Sequence, residues 1–379
     1  MIKKSIKWAM IFAFVFVVGG LGGMVFDRYV LPKLSTSNIF SRCSFLRKAN
    51  ENVTVINKIE QVVTHEEAPI KEVVKKASDS MVSIVSNDKN VIDGKNESKT
   101  GIGVSISSDG LIMTTKESIL TNNAEYKVFT SRGESFSATM IAIDEYSELA
   151  FLKVEASNFN VIPFANGESL NGGQKVIAMG RFLKTNQNSI SIGFIEGYND
   201  NFNLAGTNLS YSDKLEGVLE TSFDESRKYE GGIVINYNGE MVGITKKVVI
   251  DNKDYYFQIP VNKIKETVDM IFEAQIENRA KLGVYYISLN NIKSEIFKAQ
   301  RNNGALVYAP SGRQSMAVIA ASAGQKAGIK IGDIIVSIDG KEVDEQNSLS
   351  RLVSKHKKGE KVEMIVNRKG EELKLEVQF

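Results

Sequence analysis

The chain has 379 residues, with Lys+Arg 47 against Asp+Glu 45, a formal net charge of +2, 42% hydrophobic and 24% charged residues. That length exceeds one small module, the even charge balance excludes a protein that works by neutralising phosphates along a basic face, and the composition excludes wholesale disorder. A single cysteine, Cys43, excludes an intramolecular disulfide and a thiolate metal cluster, and the only imidazoles are those of His65 and His356.

Lys3, Lys4 and Lys7 precede an uncharged run from Trp8 to Phe26. Nineteen residues make a helix of about 28 Å, close to the roughly 30 Å hydrocarbon thickness of a bilayer. The run ends in Phe26-Asp27-Arg28-Tyr29 without a small-x-small cleavage pattern. Residues 1–27 are therefore expected to be a cytoplasmic basic stretch and an uncleaved signal anchor, giving a single-pass cell-membrane protein with residues 28–379 outside the cytoplasm. Residues 28–77 mix Ser, Asn, Lys and Glu with scattered apolar positions and are expected to form a spacer that holds Cys43 and His65, with Asn52 to Gln61 a strand or short coil.

From Met81 the chain alternates and turns repeatedly. Met81 to Val85, Gly103 to Ser107 and Leu111 to Thr114 predict strands, the last two joined by the turn Ser108-Asp109-Gly110. Further strands are predicted at Tyr126–Thr130, Ser137–Ile143, Leu149–Val154, Lys175–Met179, Ile190–Ile195, Val218–Thr221, Ile233–Tyr237 and Met241–Thr245. Short strands at this spacing suggest paired barrels or a sandwich.

Several blocks together resemble the HtrA/Deg family of trypsin-like serine proteases: Thr100 to Thr114, Asp144 to Val154, Gly231-Gly232, Asn238 to Ile244, and Phe257-Gln258-Ile259-Pro260. The resemblance implies a mostly β protein, a trypsin-like double β-barrel over 78–277. It also implies where a Ser-His-Asp triad should lie. The histidine position, after Ile112-Met113-Thr114-Thr115-Lys116, is Glu117. The aspartate position, before Leu149-Ala150-Phe151-Leu152-Lys153, is Glu148. The serine position, before Gly231-Gly232, is Glu230, and the glycine of the oxyanion hole is Lys228. No histidine stands between residues 66 and 355. A Ser-Lys dyad of Ser118 with Lys116, or of Ser226 with Lys228, would need a buried lysine of lowered pKa. The catalytic set is therefore expected to be empty and the protein not an enzyme, a pseudoprotease. Three converging carboxylates would need a proton, a divalent ion, or Lys116, Lys228 or Arg181 beside them. No cofactor and no resident metal is expected.

Val261 to Asn278 places Ile264, Val268, Ile271 and Phe272 on one helical stripe. Beyond it, Leu282 to Ile287, Gly304 to Val307 and the long block Ser322 to Lys341 resemble a PDZ domain of the HtrA type, over 278–379. The resemblance implies a site for extended peptides, usually chain ends, that add a strand to a sheet edge. Lys281, Leu282, Gly283 and Val284 would form the carboxylate loop, Tyr285, Tyr286 and Ile287 the pairing strand, and Leu349, Leu352 and Val353 the apolar pocket. His356 falls in a basic turn and is given no role.

The expected protein is thus a membrane-anchored, extracytoplasmic, catalytically inactive HtrA-like protein that binds polypeptide carboxyl termini or unfolded segments, as adaptor, sensor or holdase in envelope quality control. Its partners would be those polypeptides, the membrane through residues 8–26, and a homotrimer or an assembly with an active relative, but no nucleic acid. The rival readings are an active HtrA-type serine endopeptidase and a scaffold that binds nothing.

Overall fold

A computed structural model describes residues 67–89, 97–182, 187–205, 209–223, 229–250, 252–309 and 317–379, with scattered positions between 8 and 26. Of the expected membrane span, residues 14–20 and a few flanking positions are described and are helical, and among the described residues no helix is long and apolar enough to cross a membrane. The rest of that expectation, the possible strand at 52–61, Cys43 and His65 all lie outside the described residues.

The chain divides into two compact units, Met1–Ala68 and Pro69–Phe379. The second begins within helix α1 (Glu67–Ser80), part of the stretch expected to be spacer. Ile70, Val73, Val74 and Ala77 recur at helical spacing, and all four pack against the largest apolar cluster of the fold.

Six strands close the first barrel: β1 (Met81–Asp88), β2 (Ser98–Ser105), β3 (Leu111–Thr115), β4 (Ala124–Phe129), β5 (Ser135–Asp144) and β6 (Leu149–Val154), in the order β1-β2-β3-β6-β5-β4. The second barrel uses β7 (Lys175–Phe182), β8 (Gln187–Asn203), β10 (Glu216–Thr221), β11 (Ile233–Ile235), β12 (Met241–Ile250) and β13 (Lys253–Pro260), in the order β10-β13-β12-β11-β7-β8. Between β8 and β10 lies the two-residue β9 (Ser210–Tyr211). The strand over 253–260 is absent from the sequence expectation, because Lys253, Asp254 and Tyr255 stay exposed in the fold and are strand through their pairing with β12, not through burial.

Alternation along the strands divides the core in two. Ile112, Ala150 and Leu152 fill the first barrel, while Leu111, Met113, Leu149 and Phe151 point the other way into the seam shared with Ile177, Met179, Ile233 and Ile244. Strands buried on both faces read as near-continuous apolar runs, which is why Leu149–Val154 is recognisable in sequence without a polar face.

Helix α2 (Val261–Phe272) follows, buries Val261, Ile264 and Val268, and leads to the terminal domain. There β14 (Tyr285–Ser288), α3 (Asn291–Phe297), β15 (Ala305–Val307), α4 (Ala323–Lys326), β16 (Ile334–Ile338), β17 (Lys341–Glu342), α5 (Leu349–Val353), β18 (Lys361–Arg368) and β19 (Glu371–Gln378) surround their own core. The sheet order is β19-β18-β16-β15-β14-β9, so the last strand comes from the barrel region.

Candidate functional site

The first candidate site is the cleft where the two barrels meet. β3 delivers Thr115 into a single turn of 3-10 helix, Lys116–Ser118, which sets Glu117 at its middle. The turn from β5 to β6 is built by Asp144, whose carboxylate accepts from the amides of Tyr146 at 3.2 Å and Ser147 at 3.3 Å and from Ser147 Oγ at 2.7 Å. Glu148 closes that turn in the left-handed region, φ 59°, and its carbonyl accepts from the Lys116 amide at 2.8 Å. The two glutamates are thereby held on adjacent loops.

The group between them is Lys246, on β12 and 1% exposed. Its Nζ forms an ion pair with Glu117 and another, at 2.7 Å, with Glu148 Oε2. Lys214 takes the other oxygen, Glu148 Oε1, at 2.5 Å and also donates to the Glu145 carbonyl at 2.7 Å. Burial works against the charged form of Glu148, but Lys246 and Lys214 outweigh it and hold the carboxyl below the usual glutamate range. Glu230 stands beside this cluster. Burial, helped by the Glu117 charge, pushes its carboxyl up against the pull of Lys247 and Lys246.

The loop that carries Glu230 is fixed by backbone pairing: the Gly231 amide donates to Thr245 O at 2.8 Å and the Thr245 amide to Gly232 O at 2.9 Å. Gly231 has φ +73°, and a Cβ there would stand 2.5 Å from Ser118 Oγ, so only glycine lets the two loops approach this closely. Ser118 Oγ and Thr115 Oγ1 share a hydrogen bond of 2.7 Å.

The structure thus brings Glu117, Glu148 and Glu230 together and corrects the expected cations. Lys116 instead binds Glu145 at 2.7 Å, and Arg181 reaches the Ser78 carbonyl at 3.3 Å. Among the described residues the Lys116 ammonium is thus engaged with Glu145 rather than with Glu117, Glu148 or Ser118. Lys228 and Ser226 lie outside the described residues. Lys246 was missing from the sequence expectation although a signal existed: Val242, Ile244, Lys246 and Val248 share one phase of β12, and all are buried.

The second candidate site is the edge of β14. Leu282 and Val284 are fully buried, and Gly283 takes φ +74° to aim successive amides the same way. Those amides have partners. Asp213 Oδ1 accepts from Leu282 N at 2.9 Å and from Gly283 N at 3.1 Å, and Ser212 Oγ accepts from Val284 N at 3.0 Å. Tyr285 and Tyr286 pair with Tyr211 and Ser210. The Tyr286 hydroxyl binds the buried Glu216 carboxylate and accepts from the Ser350 amide at 3.2 Å. Leu349, Leu352 and Val353 on α5 are buried in the domain core with Tyr286, and Ile287 packs on Leu209 and Leu289. Lys281 borders an open cleft of about 850 Å³ beside Asp213. His356 is not a free basic-turn residue: its Nδ1 lies 2.9 Å from Glu360 Oε1 and its ring stacks on Phe379.

A family description of the trypsin-like peptidase domain matches residues 101–244, and one of the PDZ domain matches residues 280–379. The chain is 28% identical over 283 residues to the probable periplasmic serine endoprotease DegP-like of Marinomonas sp. (strain MWYL1), covering 74% of this chain and 56% of that one. Identity to the periplasmic serine endoprotease DegP of Escherichia coli (strain K12) is 26% over the same shares, 74% and 56%. With the serine protease HTRA1 of Xenopus laevis it is 29% over 290 residues, 73% of this chain and 59% of that one. The chain therefore spans little more than half the length of the curated relatives it matches. Among solved structures, the HtrA-type protease AlgW with tripeptide superposes with a TM-score of 0.63 at 20% identity, over 82% of this chain and 96% of that one. These likenesses support an HtrA/DegP-type trypsin-like domain followed by a PDZ domain, mostly β. They also overturn the expectation that the chain is not an enzyme, since relatives aligned over some three quarters of it are named serine endoproteases or, for the Xenopus laevis protein, a serine protease.

Proposed function

We propose that this HtrA-type protein recognises polypeptides through its PDZ domain, by strand addition at β14 with a carboxylate held on the Leu282 and Gly283 amides. One observation carries the reading: that edge and those amides accept an extended segment and an aspartate carboxylate in the fold itself. An edge that pairs with one extended segment has the backbone geometry to pair with another. The periplasmic relatives favour an envelope location, and the uncharged run Trp8–Phe26 would tether the chain as a single membrane span. The test is an array of peptides with free carboxyl termini and their carboxamides, probed with the full-length chain in detergent. Capture of the acids, weak capture of the amides, and loss of capture in Gly283→Pro are expected. Equal capture of acids and amides, or no capture by either the chain or its Asp213→Ala variant, overturns the reading.

A second reading, endopeptidase activity, is favoured by the names of the relatives. Since position 230 is a glutamate, the nucleophile would have to be another hydroxyl of the cleft, and Ser118 against Gly231 is the one at hand. Fluorophosphonate labelling and casein cleavage, both lost in Ser118→Ala, would support it. No labelling and no cleavage would sink it.

A further inference from the structure

The groove between β14 and α5 already holds a strand of the same chain. β9 pairs antiparallel with β14, Ser210 opposite Tyr286 and Tyr211 opposite Tyr285, on the edge that β15 leaves free. The Tyr211 and Tyr285 rings stack with centroids 4.6 Å apart. Past the paired residues the match continues. Ser212 donates its amide to Val284 O at 3.0 Å, and Asp213 then places Oδ1 on the amides of Leu282 and Gly283. After Asp213 the chain turns away, and the Lys214 carbonyl accepts from Ser350 Oγ of α5. Ser212 thus occupies the place of a terminal residue, and the side-chain carboxylate of Asp213 the place of a terminal carboxylate.

Resting on the peptide-binding reading of this groove, we propose that residues 209–213 are an internal ligand of the PDZ domain and that the carboxyl end of another polypeptide binds by displacing them from β14. Two features make displacement feasible. The pairing strand is only two residues long. The seat of Asp213 opens on the cleft of about 850 Å³, whose walls carry both signs of charge, Lys281, Lys326 and Lys358 against Glu277 and Glu376, so an incoming chain end has open access to the Leu282 and Gly283 amides. An internal competitor lowers the apparent affinity for an outside ligand by the fraction of molecules in which the groove is open. The structure also points to the ligand class: an extended segment with a free carboxylate that presents a small hydroxyl residue last and another two positions before it.

The probe is a fluorescein-labelled decapeptide ending in Leu-Ser-Tyr-Ser with a free carboxyl terminus, the sequence of Leu209 to Ser212, with its carboxamide as control. Anisotropy is read as each is titrated into the full-length chain in detergent. Asp213→Ala is expected to bind the acid about tenfold or more tightly than the parent chain does, with the carboxamide weak in both. Equal affinity in parent and variant overturns the internal ligand while leaving the peptide-binding reading in place. No binding to either overturns that reading and the displacement with it. Hydrogen–deuterium exchange without peptide gives an independent readout: protection over 280–288 should fall in Asp213→Ala while β1 to β6 stay protected. Unchanged protection over 280–288 overturns the proposal. Should protection fall everywhere, Asp213→Asn, which keeps the side-chain volume and removes the charge, carries the same two expectations at smaller size.

Discussion

Lys246 brings an amine to a strand position that its neighbours in phase fill with aliphatic side chains, and there it binds Glu117 and Glu148 at once. A buried ammonium without partners would be expensive, and so would Glu148 without it. Lys246→Ala is accordingly expected to lower the unfolding free energy by about 3 kcal/mol, read from urea midpoints at constant slope. A loss below about 0.5 kcal/mol would mean that water, not Lys246, solvates the pair. Glu148 and Glu230, whose carboxyls are shifted in opposite directions, respond to pH in opposite senses. Glu148, held low, stabilises the fold above the unfolded value of about 4.3, and that contribution is lost as pH falls through its lower folded value. Glu230, held high, favours the fold while protonated, and this favour is lost as pH rises through its raised value. Glu230→Gln is therefore expected to raise the melting temperature at neutral pH, with the gain shrinking to nothing below about pH 4. A gain that persists in acid would assign the effect to packing instead.

At the scale of elements, the cleft depends on how closely short loops approach. The 229–232 turn and the Lys116–Ser118 turn meet at Gly231, where a methyl group would strike Ser118 Oγ and the backbone would have to keep φ +73°. Gly231→Ala is expected to cost about 1–3 kcal/mol and to release the Ser118–Thr115 hydrogen bond, visible as faster exchange at 115–118. Stability equal to the parent chain would show that the loops already stand apart in solution. The elements themselves were unequally legible. Leu149–Val154 matches its predicted bounds because its apolar run, bordered by turn residues, has no helical alternative of that length. β8 runs far beyond the predicted Ile190–Ile195, as Asn199 and Asn203 carry no strand signal and are strand because β10 pairs with them, opposite Val218 and Glu216. Helix α1 had its stripe in the sequence, but a polar setting masked it.

For the second compact unit as a whole, Arg279 is one of the ties between its parts, beside the β9–β14 pairing. It enters the buried ground of the first barrel, where Nη2 lies 3.2 Å from Asp144 Oδ2 and the guanidinium sits 4.5 Å over the Tyr146 ring. Thr267 of α2 donates to the same oxygen at 3.2 Å. Barrel, helix and PDZ domain therefore converge on one carboxylate. Arg279→Met is expected to split calorimetric unfolding of this unit into two transitions, with the PDZ transition moved less than the barrel transition, because Asp144 loses its charge partner inside the barrel turn. A single transition at the parent temperature would place the coupling elsewhere, in β9 above all.

Local sequence determined the central parts of most barrel strands and the order of the two domain types, because alternation, turn residues and motif spacing act over a few neighbouring positions. Tertiary structure alone decided which cation joins the glutamates of the cleft. Lys246 is some 100 to 130 residues from its partners along the chain, and only closure of both barrels brings them together. It also decided that the PDZ groove is filled by residues 209–213, since a strand edge accepts any extended backbone of fitting register and the sequence near Gly283 says nothing of which segment arrives.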